Sequence, residues 1–450
     1  MRRVSALNNN LGYQGYRQPQ RGASDELLVR ISQGTACGEY LRRYWQPVAL
    51  TEEVGDLPRL IRVLGEELVL FRDKTGRYGL VHKQCPHRRA SMEFGICDEN
   101  GIRCCYHGWL FDIDGRILEI PGQPGEHAEL VMKQTSLGAY PVKEFRGLIF
   151  AYLGPIEEMP EFPVYDTLEI EGQTLVPYRA DYNCNWLQVL DAILDPIHTS
   201  FLHSRMSRVQ FSEGMGEIGE LLFYQRDMSF LGTNVRRVGD NVWVRVNELV
   251  LPNYTQAGAA FSADGTRHIY YGRSAFSRWV VPIDDENTTA FAWAIFGERA
   301  DPEEYNTPEG PDLIEQGELM NRSYEERQRF PGDAEAVEGM GVIADQKMEH
   351  LVPSDKAIIL YRKKLRKLCR ELEQGAQAGQ VTGLWQNPIP TYGGDTVLNI
   401  PPNGQDDAEL LRDIGDRVMQ IQFDAEPLQG AARDDRVIDA LKALEAEYRR

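Results

Sequence analysis

The sequence predicts an α+β fold, in which a small all-β unit precedes a larger domain whose antiparallel sheet packs on helices in a helix-grip-like arrangement. Three observations predict it. Short runs of Val, Ile, Leu, Phe and Tyr, separated by turn signals, extend from Gln46 to Leu153, which is typical of β-strands. Strand-like runs return from Leu221 to Val281, and apolar stretches that suit buried helices flank them. The chain has 450 residues, 42% of them hydrophobic, so it has material for about two or three domains.

The chain divides where its composition changes. The first ~35 residues are polar and are expected to form a loosely attached arm, and Glu39 to Tyr44 predicts a short helix. The acidic, Pro-rich stretch from Pro155 to Pro163 separates the two larger parts. We therefore predict the arm and short helix in residues 1–45, the all-β unit in residues 46–155, and the larger domain with a C-terminal helical extension in residues 156–450.

Individual elements follow from local periodicity. A buried helix is expected from Asn185 to His203, which is mostly apolar. Apolar residues at helical spacing from Asp435 to Tyr448 predict a helix that docks on the chain's own core, with a contact to another subunit as the alternative. Strands are expected at Leu60–Val63, Leu68–Phe71, Tyr78–Val81, Leu221–Tyr224, Val242–Val250, His268–Tyr271 and Ala290–Phe296.

Charge and cysteine content exclude several classes of protein. The 68 acidic side chains outnumber the 49 basic ones, and the formal net charge of −19 would repel nucleic acid and anionic membrane surfaces. No apolar stretch reaches the ~18 residues of a membrane span, and the N-terminus lacks the apolar core of a signal peptide. We therefore expect a cytoplasmic protein. In that reducing compartment, the cysteines between Cys85 and Cys105 indicate a metal site rather than disulfides.

The first chemical motif pairs cysteine with histidine twice. Cys85-Pro-His87 is followed, after sixteen residues, by Cys104-x-x-His107. Two Cys and two His can close a tetrahedral zinc site or hold an iron–sulfur cluster in which two His replace two Cys on one iron. Each segment supplies one thiolate and one imidazole, which favours the cluster over structural zinc. Cys105 is interpreted as a small buried residue that is not a ligand.

The second motif places Asp191, Asp195, His198 and His203 in an otherwise apolar segment. Buried charges are costly unless they are paired or bound to metal, so a metal site and a polar contact between helices are both open. On an ideal helix His203 would lie about 140° away from His198. Both imidazoles can therefore reach one ion only if the helix is bulged or broken between them. Two His and one carboxylate form the facial triad of non-haem Fe(II) oxygenases.

Together these motifs resemble those of the Rieske non-haem iron oxygenases, most closely the phthalate dioxygenase group. The resemblance covers nearly the whole chain, including RRYWQPVAL at Arg42 to Leu50 and Asp-x-x-His-x-x-x-x-His at 195–203. It implies an N-terminal Rieske domain and a C-terminal catalytic domain. By the resemblance, Cys85, His87, Cys104 and His107 bind a [2Fe-2S] cluster, His198 and His203 bind a mononuclear Fe(II), and Asp195 is a catalytic connector to the cluster of a neighbouring subunit.

The third iron ligand is also assigned by the resemblance. Members of the group carry an Asp a few residues before a Glu-Ser-Met-Gly-Pro-Ile type of string, followed by Asp and Glu-His-Leu. This chain reads Asp333-Ala-Glu-Ala-Val-Glu-Gly-Met-Gly-Val-Ile-Ala-Asp345, then Glu-His-Leu at 349–351. Matching position by position selects Asp333. Gly339 and Val342 stand where Ser and Pro are commoner, so Asp345 is the competing candidate.

The resemblance implies a terminal oxygenase that receives electrons from NADH through a separate reductase or ferredoxin and forms a homotrimer. The expected reaction uses O₂ to hydroxylate or O-demethylate an aromatic carboxylate, including methoxylated or biaryl, lignin-derived acids. A guanidinium would bind the carboxylate. The alternatives are a Rieske electron carrier or binding protein without oxygenase activity, and a zinc-stabilised scaffold. The candidate arginines are Arg205, Arg208, Arg236, Arg237, Arg245 and Arg273.

Overall fold

The computed structural model describes residues 15, 16, 18, 21–123, 125–205, 211–307, 322–377, 388–404 and 406–449. Its α-helices are α1 (Glu26–Val29), α2 (Ala36–Arg42), α3 (Glu126–Gln134), α4 (Trp186–Asp191), α5 (Pro196–Ser200), α6 (Tyr324–Arg329), α7 (Asp333–Glu338), α8 (Lys356–Glu373), α9 (Asp407–Asp424) and α10 (Gly430–Tyr448). Strands of the N-terminal part are β1 (Trp45–Leu50), β2 (Arg59–Val63), β3 (Glu66–Arg72), β4 (Tyr78–His82), β5 (Ile96–Asp98), β6 (Gly101–Arg103), β7 (Leu110–Phe111), β8 (Ile117–Glu119), β9 (Ala139–Tyr140), β10 (Val142–Phe145) and β11 (Leu148–Tyr152). Those of the C-terminal part are β12 (Thr174–Tyr182), β13 (Glu220–Gln225), β14 (Ser229–Val238), β15 (Asn241–Val250), β16 (Tyr254–Ala257), β17 (Phe276–Pro282), β18 (Thr288–Phe296) and β19 (Gly394–Asn399).

Three small antiparallel sheets form the N-terminal part. They follow the orders β1-β11-β10, β2-β3-β4-β9 and β5-β6-β7-β8. Short strands of this kind, joined by tight turns, are what the alternating apolar runs predict. Two loops hold the Cys/His motif, one that leads from β4 to β5 and one that leads from β6 to β7.

One large antiparallel sheet dominates the C-terminal part, in the order β12-β18-β17-β16-β15-β14-β13, with β19 paired to β15. The two faces of β15 differ because successive side chains of a strand point to opposite sides. Val242, Val244 and Val246 pack on α9 and α10. Arg245 and Asn247 lie on the other face, which encloses a cavity beside α5. The predicted α+β fold is confirmed.

Both C-terminal helices pack on their own chain. Val437, Leu441 and Leu444 of α10 are buried in the same core as Val418 of α9 and the valines of β15. The expectation that this helix docks on the core is therefore confirmed. No helix within the described residues is long and apolar enough to cross a membrane.

Two expectations are wrong. The polar arm expected before residue 36 does not hold for residues 24–35, since Leu28, Val29 and Ile31 are fully buried and the Trp186 indole donates to the Leu28 carbonyl at 3.1 Å. The run was missed because the mean polarity of the first ~35 residues is high and the run is short. Residues 1–14 lie outside the described part of the chain. His268–Tyr271 is not a strand, because only residue 269 forms an isolated bridge, with Val397.

The domain limits at 45 and 155 stay a prediction. The first and last strands of the N-terminal part begin at Trp45 and end at Tyr152. Its core is continuous with that of the C-terminal part, where Phe150 packs against Trp279 at a ring separation of 5.2 Å.

Candidate active site

The two Cys/His loops have the same backbone form. In the first, the Cys85 amide donates to the Ala90 carbonyl and the Arg89 amide donates back to Cys85; in the second, Cys104, Gly108 and Trp109 repeat these bonds. Each loop turns through a left-handed residue at its fifth position, Arg89 with φ 66° and Gly108 with φ 72°. The loops thereby bring one cysteine and one histidine each to a common point.

The side chains of this site are arranged as two pairs. Cys85 and Cys104 are buried, with 1% and 3% of their surface exposed, and the His87 and His107 rings lie 4.5 Å apart. Burial raises the pKa of the Cys85 thiol to about 11, and the charge of Cys104 adds to the shift although the His87 and Arg88 amides oppose it. A buried pair of thiols beside a pair of imidazoles fits a [2Fe-2S] cluster with two Cys on one iron and two His on the other.

Aromatic groups surround the imidazoles unevenly. Trp109 stacks on His87 at 4.6 Å with an interplanar angle of 5°, whereas Tyr106 is 56% exposed. Cys105 is exposed, so its interpretation as a buried residue is wrong; the residue after Cys104 lies at the outer side of the loop. The tip of the two Cys/His loops, called the Rieske loops below, therefore faces solvent in a single chain.

The segment from Asn185 to His203 is helical, but in several pieces. Helix α4 ends in a 3₁₀ turn over residues 192–194, and Asp195 caps the new helix α5 by accepting from the Ile197 and His198 amides. Pro196 has no amide hydrogen and a fixed φ, which suits a first helical position and interrupts the preceding helix. Five residues later the chain forms a π-turn, Phe201–Arg205.

This π-turn brings His198 and His203 to the same side of the helix, although they are five residues apart. Its i→i+5 pattern inserts an extra residue in one turn, so His198 and His203 return to the same side, with ring centroids 5.2 Å apart. The expected deformation between them is thus present. The His198 Nδ1 lies 2.5 Å from the Asp195 carbonyl, an acceptor, so Nδ1 carries the proton and Nε2 is left as the ligand atom.

Asp333 completes a group of three ligand atoms. It is the first residue of α7, and its Oδ1 lies 3.8 Å from His198 Nε2 and 3.4 Å from His203 Nε2. Within the described residues, this is the group of His, Cys, Asp and Glu atoms that could hold an ion, all within 4.8 Å of one another. The competing candidate Asp345 instead accepts a hydrogen bond from the Gly22 amide.

Electrostatics agree with a carboxylate ligand at Asp333. Burial would raise its pKa, but His203, His198 and Arg278 surround it and the net pKa shift is downward. Burial lowers the pKa of His198, which keeps that imidazole neutral. Two imidazoles and one carboxylate with open positions are the donor set of a mononuclear Fe(II) site. Asp191 has a different role, since it binds Arg362 and Tyr361 of α8.

Comparison with known proteins identifies the family of this chain. Residues 44–143 match the family model described as the Rieske [2Fe-2S] domain. Over 98% of both chains, the sequence is 38% identical to the tert-butanol monooxygenase / tert-amyl alcohol desaturase oxygenase subunit of Aquincola tertiaricarbonis. It is 36% identical to the phenoxybenzoate dioxygenase subunit alpha of Ectopseudomonas oleovorans, over 80% of this chain and 88% of that one. The chain belongs to the Rieske non-haem iron oxygenases.

Other relatives and solved structures extend the comparison. The 5,5'-dehydrodivanillate O-demethylase oxygenase subunit of a Sphingobium strain is 32% identical over 83% of this chain and 87% of that one. The structure of dicamba monooxygenase bound to dicamba has a TM-score of 0.54 at 18% identity, covering 75% of this chain and 99% of the other. The oxygenase therefore has the Rieske oxygenase fold, and the cofactors of its family are a Rieske cluster and a mononuclear iron.

In this oxygenase a cavity of about 40 Å³ lies beside the three candidate ligand atoms. Its apolar wall is mainly Ile193, Phe211, Met215 and Phe276, and its polar wall includes Thr199, Arg245, Asn247 and Arg278. Such a volume holds only a few water molecules. Arg278 and Asn247 were not among the candidates from the sequence. Their signal is the period-two alternation of β17 and β15, which turns both toward the face that carries Arg245.

Most of the arginines predicted to bind the substrate carboxylate contact groups outside this cavity. Arg236 donates to the Glu217 carbonyl, and Arg237 pairs with Asp407. Arg273 pairs with Asp166 and Asp434. Arg205 is exposed and lies over the Phe201 ring, while Arg208 lies outside the described residues. Of the predicted set, Arg245 alone lines this cavity in the described part of the chain, and Asp395 neutralises it at 3.1 Å.

Proposed function

We propose that this Rieske oxygenase is the terminal component of a system in which NADH supplies electrons through a separate reductase or ferredoxin, and that it hydroxylates or O-demethylates an aromatic carboxylate. The proposed cluster ligands are Cys85, His87, Cys104 and His107, and the proposed iron ligands are His198, His203 and Asp333. When bound, the cluster supplies single electrons and the iron activates O₂. The observation that supports this proposal is the trio of iron-ligand atoms beside a cavity with a guanidinium wall.

The charge of the cavity favours an anionic substrate. Asp333 offsets only one of the two charges of a ferrous ion, and both imidazoles are neutral. Arg278 places a guanidinium at the cavity wall near the iron-ligand group, and Arg245, which pairs with Asp395, adds a second guanidinium. Attraction between a carboxylate and a guanidinium is strong and directional in a site with little water. We therefore assign the substrate carboxylate to Arg278.

Asp195 would connect the iron to the Rieske cluster of a neighbouring subunit. Its side chain is held by the Ile197 and His198 amides at 2.8 and 3.3 Å, and its carbonyl fixes the His198 ring. The exposed tip of the Rieske loops offers a surface that a second subunit can cover. A head-to-tail contact of this kind closes into a ring, and we propose a homotrimer.

A small tertiary alcohol is the second candidate substrate. Two observations favour it: the relative from Aquincola tertiaricarbonis matches over 98% of both chains, and the cavity measures only about 40 Å³. An aromatic acid needs side chains such as Phe211 or Met215 to move, whereas a four-carbon alcohol needs less displacement.

The test is NADH-dependent O₂ uptake with a compatible reductase over phthalates, methoxybenzoates, biaryl acids and C4 or C5 tertiary alcohols. Formaldehyde release would identify O-demethylation, and a diol would identify dihydroxylation. NADH oxidation without any oxygenated product from the panel would contradict the proposal and favour an electron carrier. Turnover of tertiary alcohols alone would select the second candidate.

Arg278→Gln separates the two substrates further. For an aromatic acid we expect KM to rise about 10- to 100-fold, because a charge-assisted contact is lost. For an alcohol the change should be small. Arg237→Gln is the matched control, since Arg237 pairs with Asp407 away from the cavity. Equal effects of the two variants on the acid would remove the carboxylate role of Arg278.

A further inference from the structure

The cavity beside the iron ligands contains a side-chain amide that the reaction outlined above does not use. Asn247 lies on β15 and is 7% exposed. It lines the cavity together with His198, His203 and Asp333. Its position on the strand opposite is taken by Gly232, so no side chain from β14 lies directly beside it on that side. A buried amide carries two donors and an acceptor, and each needs a partner.

The amide nitrogen of Asn247 donates to a backbone carbonyl that has no helical partner because the helix is broken. In a helix the Ile193 carbonyl would accept from residue 196 or residue 197. Pro196 has no amide hydrogen, and the Ile197 amide already donates to the Asp195 carboxylate at 2.8 Å. The Asn247 Nδ2 donates to the Ile193 carbonyl instead, at 3.2 Å.

This bond fixes which end of the amide faces the carbonyl. Because a carbonyl oxygen only accepts, the nitrogen must point toward Ile193, and the amide cannot be turned over. The Asn247 Oδ1 is buried and has no hydrogen-bond partner among the residues that the structure describes. An unpaired buried acceptor costs free energy. The Oδ1 atom therefore lacks a hydrogen-bond donor, and a ligand in the adjoining cavity can supply that donor.

We propose that Asn247 selects substrates that carry a hydroxyl group, by accepting its hydrogen bond at Oδ1. This inference deepens the proposed function and rests on it. The polar wall of the cavity then offers the unpaired Asn247 acceptor and the Arg278 guanidinium, besides the Thr199 hydroxyl, whose hydrogen is already donated to the Pro196 carbonyl at 2.9 Å. A hydroxylated aromatic acid satisfies both groups, and a tertiary alcohol satisfies Asn247. An ether or a bare carboxylate cannot donate, so it leaves the acceptor unpaired.

Matched pairs of ligands test the proposal on the unmodified, iron-loaded protein. One pair is 4-hydroxy-3-methoxybenzoate and 3,4-dimethoxybenzoate; the other is 2-methylbutan-2-ol and its methyl ether. Dissociation constants from calorimetric titration without O₂ report binding separately from turnover. We expect the hydroxyl member of a pair that binds to be favoured by about 10- to 100-fold, the range for leaving a buried polar group unpaired.

The variant Asn247→Leu, of similar size, should abolish this preference by weakening the hydroxyl member toward the level of its ether. Asn234→Leu is the control, because it removes a buried amide from neighbouring β14 that is not among the described cavity-lining residues; the preference should persist in it. If Asn247 only supports Ile193, Asn247→Leu would weaken both members of a pair equally, and that result would overturn the proposal.

The unmodified protein also decides the question if Asn247→Leu fails to fold. Equal affinity for the two members of a binding pair would overturn the role of Asn247 while leaving the proposed function intact. Binding of neither pair would overturn this inference, whereas turnover of phthalates or biaryl acids in the O₂-uptake assay would leave the proposed function intact.

Discussion

At the Rieske loops, all four proposed ligands come from two similar turns within Cys85 to His107, and each turn is closed by its own backbone hydrogen bonds. At the mononuclear site, two of the proposed ligands come from a helix broken by Pro196 and the π-turn, and the third proposed ligand, Asp333, comes from α7. The first site depends on local geometry. The second depends on how separate helices pack, and we expect it to be the more easily disturbed of the two.

The largest effects should come from removing one histidine at each site. His87→Ala should abolish the red-brown colour and the Rieske-type EPR signal, because a cluster with one open position on an iron is not retained. His198→Ala should keep the colour and lower the iron content from about three to about two per chain. Both variants should lose product formation. Iron analysis and EPR of the reduced proteins are the measurements.

Loss of the cluster in both variants would contradict the independence of the two sites. If the unmodified protein is colourless and contains zinc, the prediction of a [2Fe-2S] cluster is wrong and the Cys/His motif is a structural zinc site.

A second effect concerns the two candidate carboxylates of the mononuclear site. Asp333→Asn should weaken iron binding by more than ~100-fold, since even changes beyond the direct ligands cost 10- to 100-fold. Asp345→Asn is the matched control, because its carboxylate binds the Gly22 amide instead of the imidazoles. Titration of iron into the apo-protein with chelator competition measures both. The assignment is wrong if the Asp345 variant loses iron and the Asp333 variant retains it.

A third prediction isolates Asp195. Asn caps a helix about as well as Asp, so Asp195→Asn should keep α5, the His198 orientation and both metals. Turnover should nevertheless fall by about 10²-fold or more, the usual contribution of a group that moves or holds a proton. Steady-state kinetics with metal analysis is the test.

The assembly of the protein provides the control for this prediction. The unmodified protein and Asp195→Asn should both sediment as trimers. A fully active Asp195→Asn variant, or a monomer with full turnover, would exclude a connection between subunits through this residue.

The sequence predicts the locally formed Cys/His site better than the mononuclear site, which separate helices assemble. The Cys/His motif lies within one short segment, so its candidate ligands could be picked out from their spacing, and the resemblance assigned them to a cluster. For His198 and His203 the spacing predicted a deformation, and the π-turn provides it. Asp333 could be assigned only by resemblance, since nothing local marks it out from Asp345. Arg278 and Asn247 were missed because their approach to the iron site depends on the strand register and on a carbonyl left open by Pro196.

The fold shows the same limit at its N-terminus. Most strands predicted from apolar runs between turn signals lie close to their observed bounds, whereas the buried run at Leu28 to Ile31 was predicted to be part of a polar arm. Burial of so short a run depends on the groove that receives it, here beside Trp186 and Asn185. Hydrophobic averages over long windows do not detect it.

The prediction with the smallest expected effect concerns the buried run from Leu28 to Ile31 and asks whether it stabilises the mononuclear site. Leu28 is fully buried, and its carbonyl accepts from Trp186, the first residue of α4. Leu28→Ala should cost about 2–5 kcal/mol of local stability, the range for deleting a buried Leu side chain. Because α4 leads into the turn that presents His198, we expect faster loss of mononuclear iron to a chelator and faster hydrogen exchange in residues 186–191, with an unchanged Rieske EPR signal. Leu57→Ala, at a residue 72% exposed in the N-terminal part, should change neither. Equal loss of cluster and iron in Leu28→Ala would show that the two regions share their stability, and the contrast between a locally built site and an assembled one would not hold.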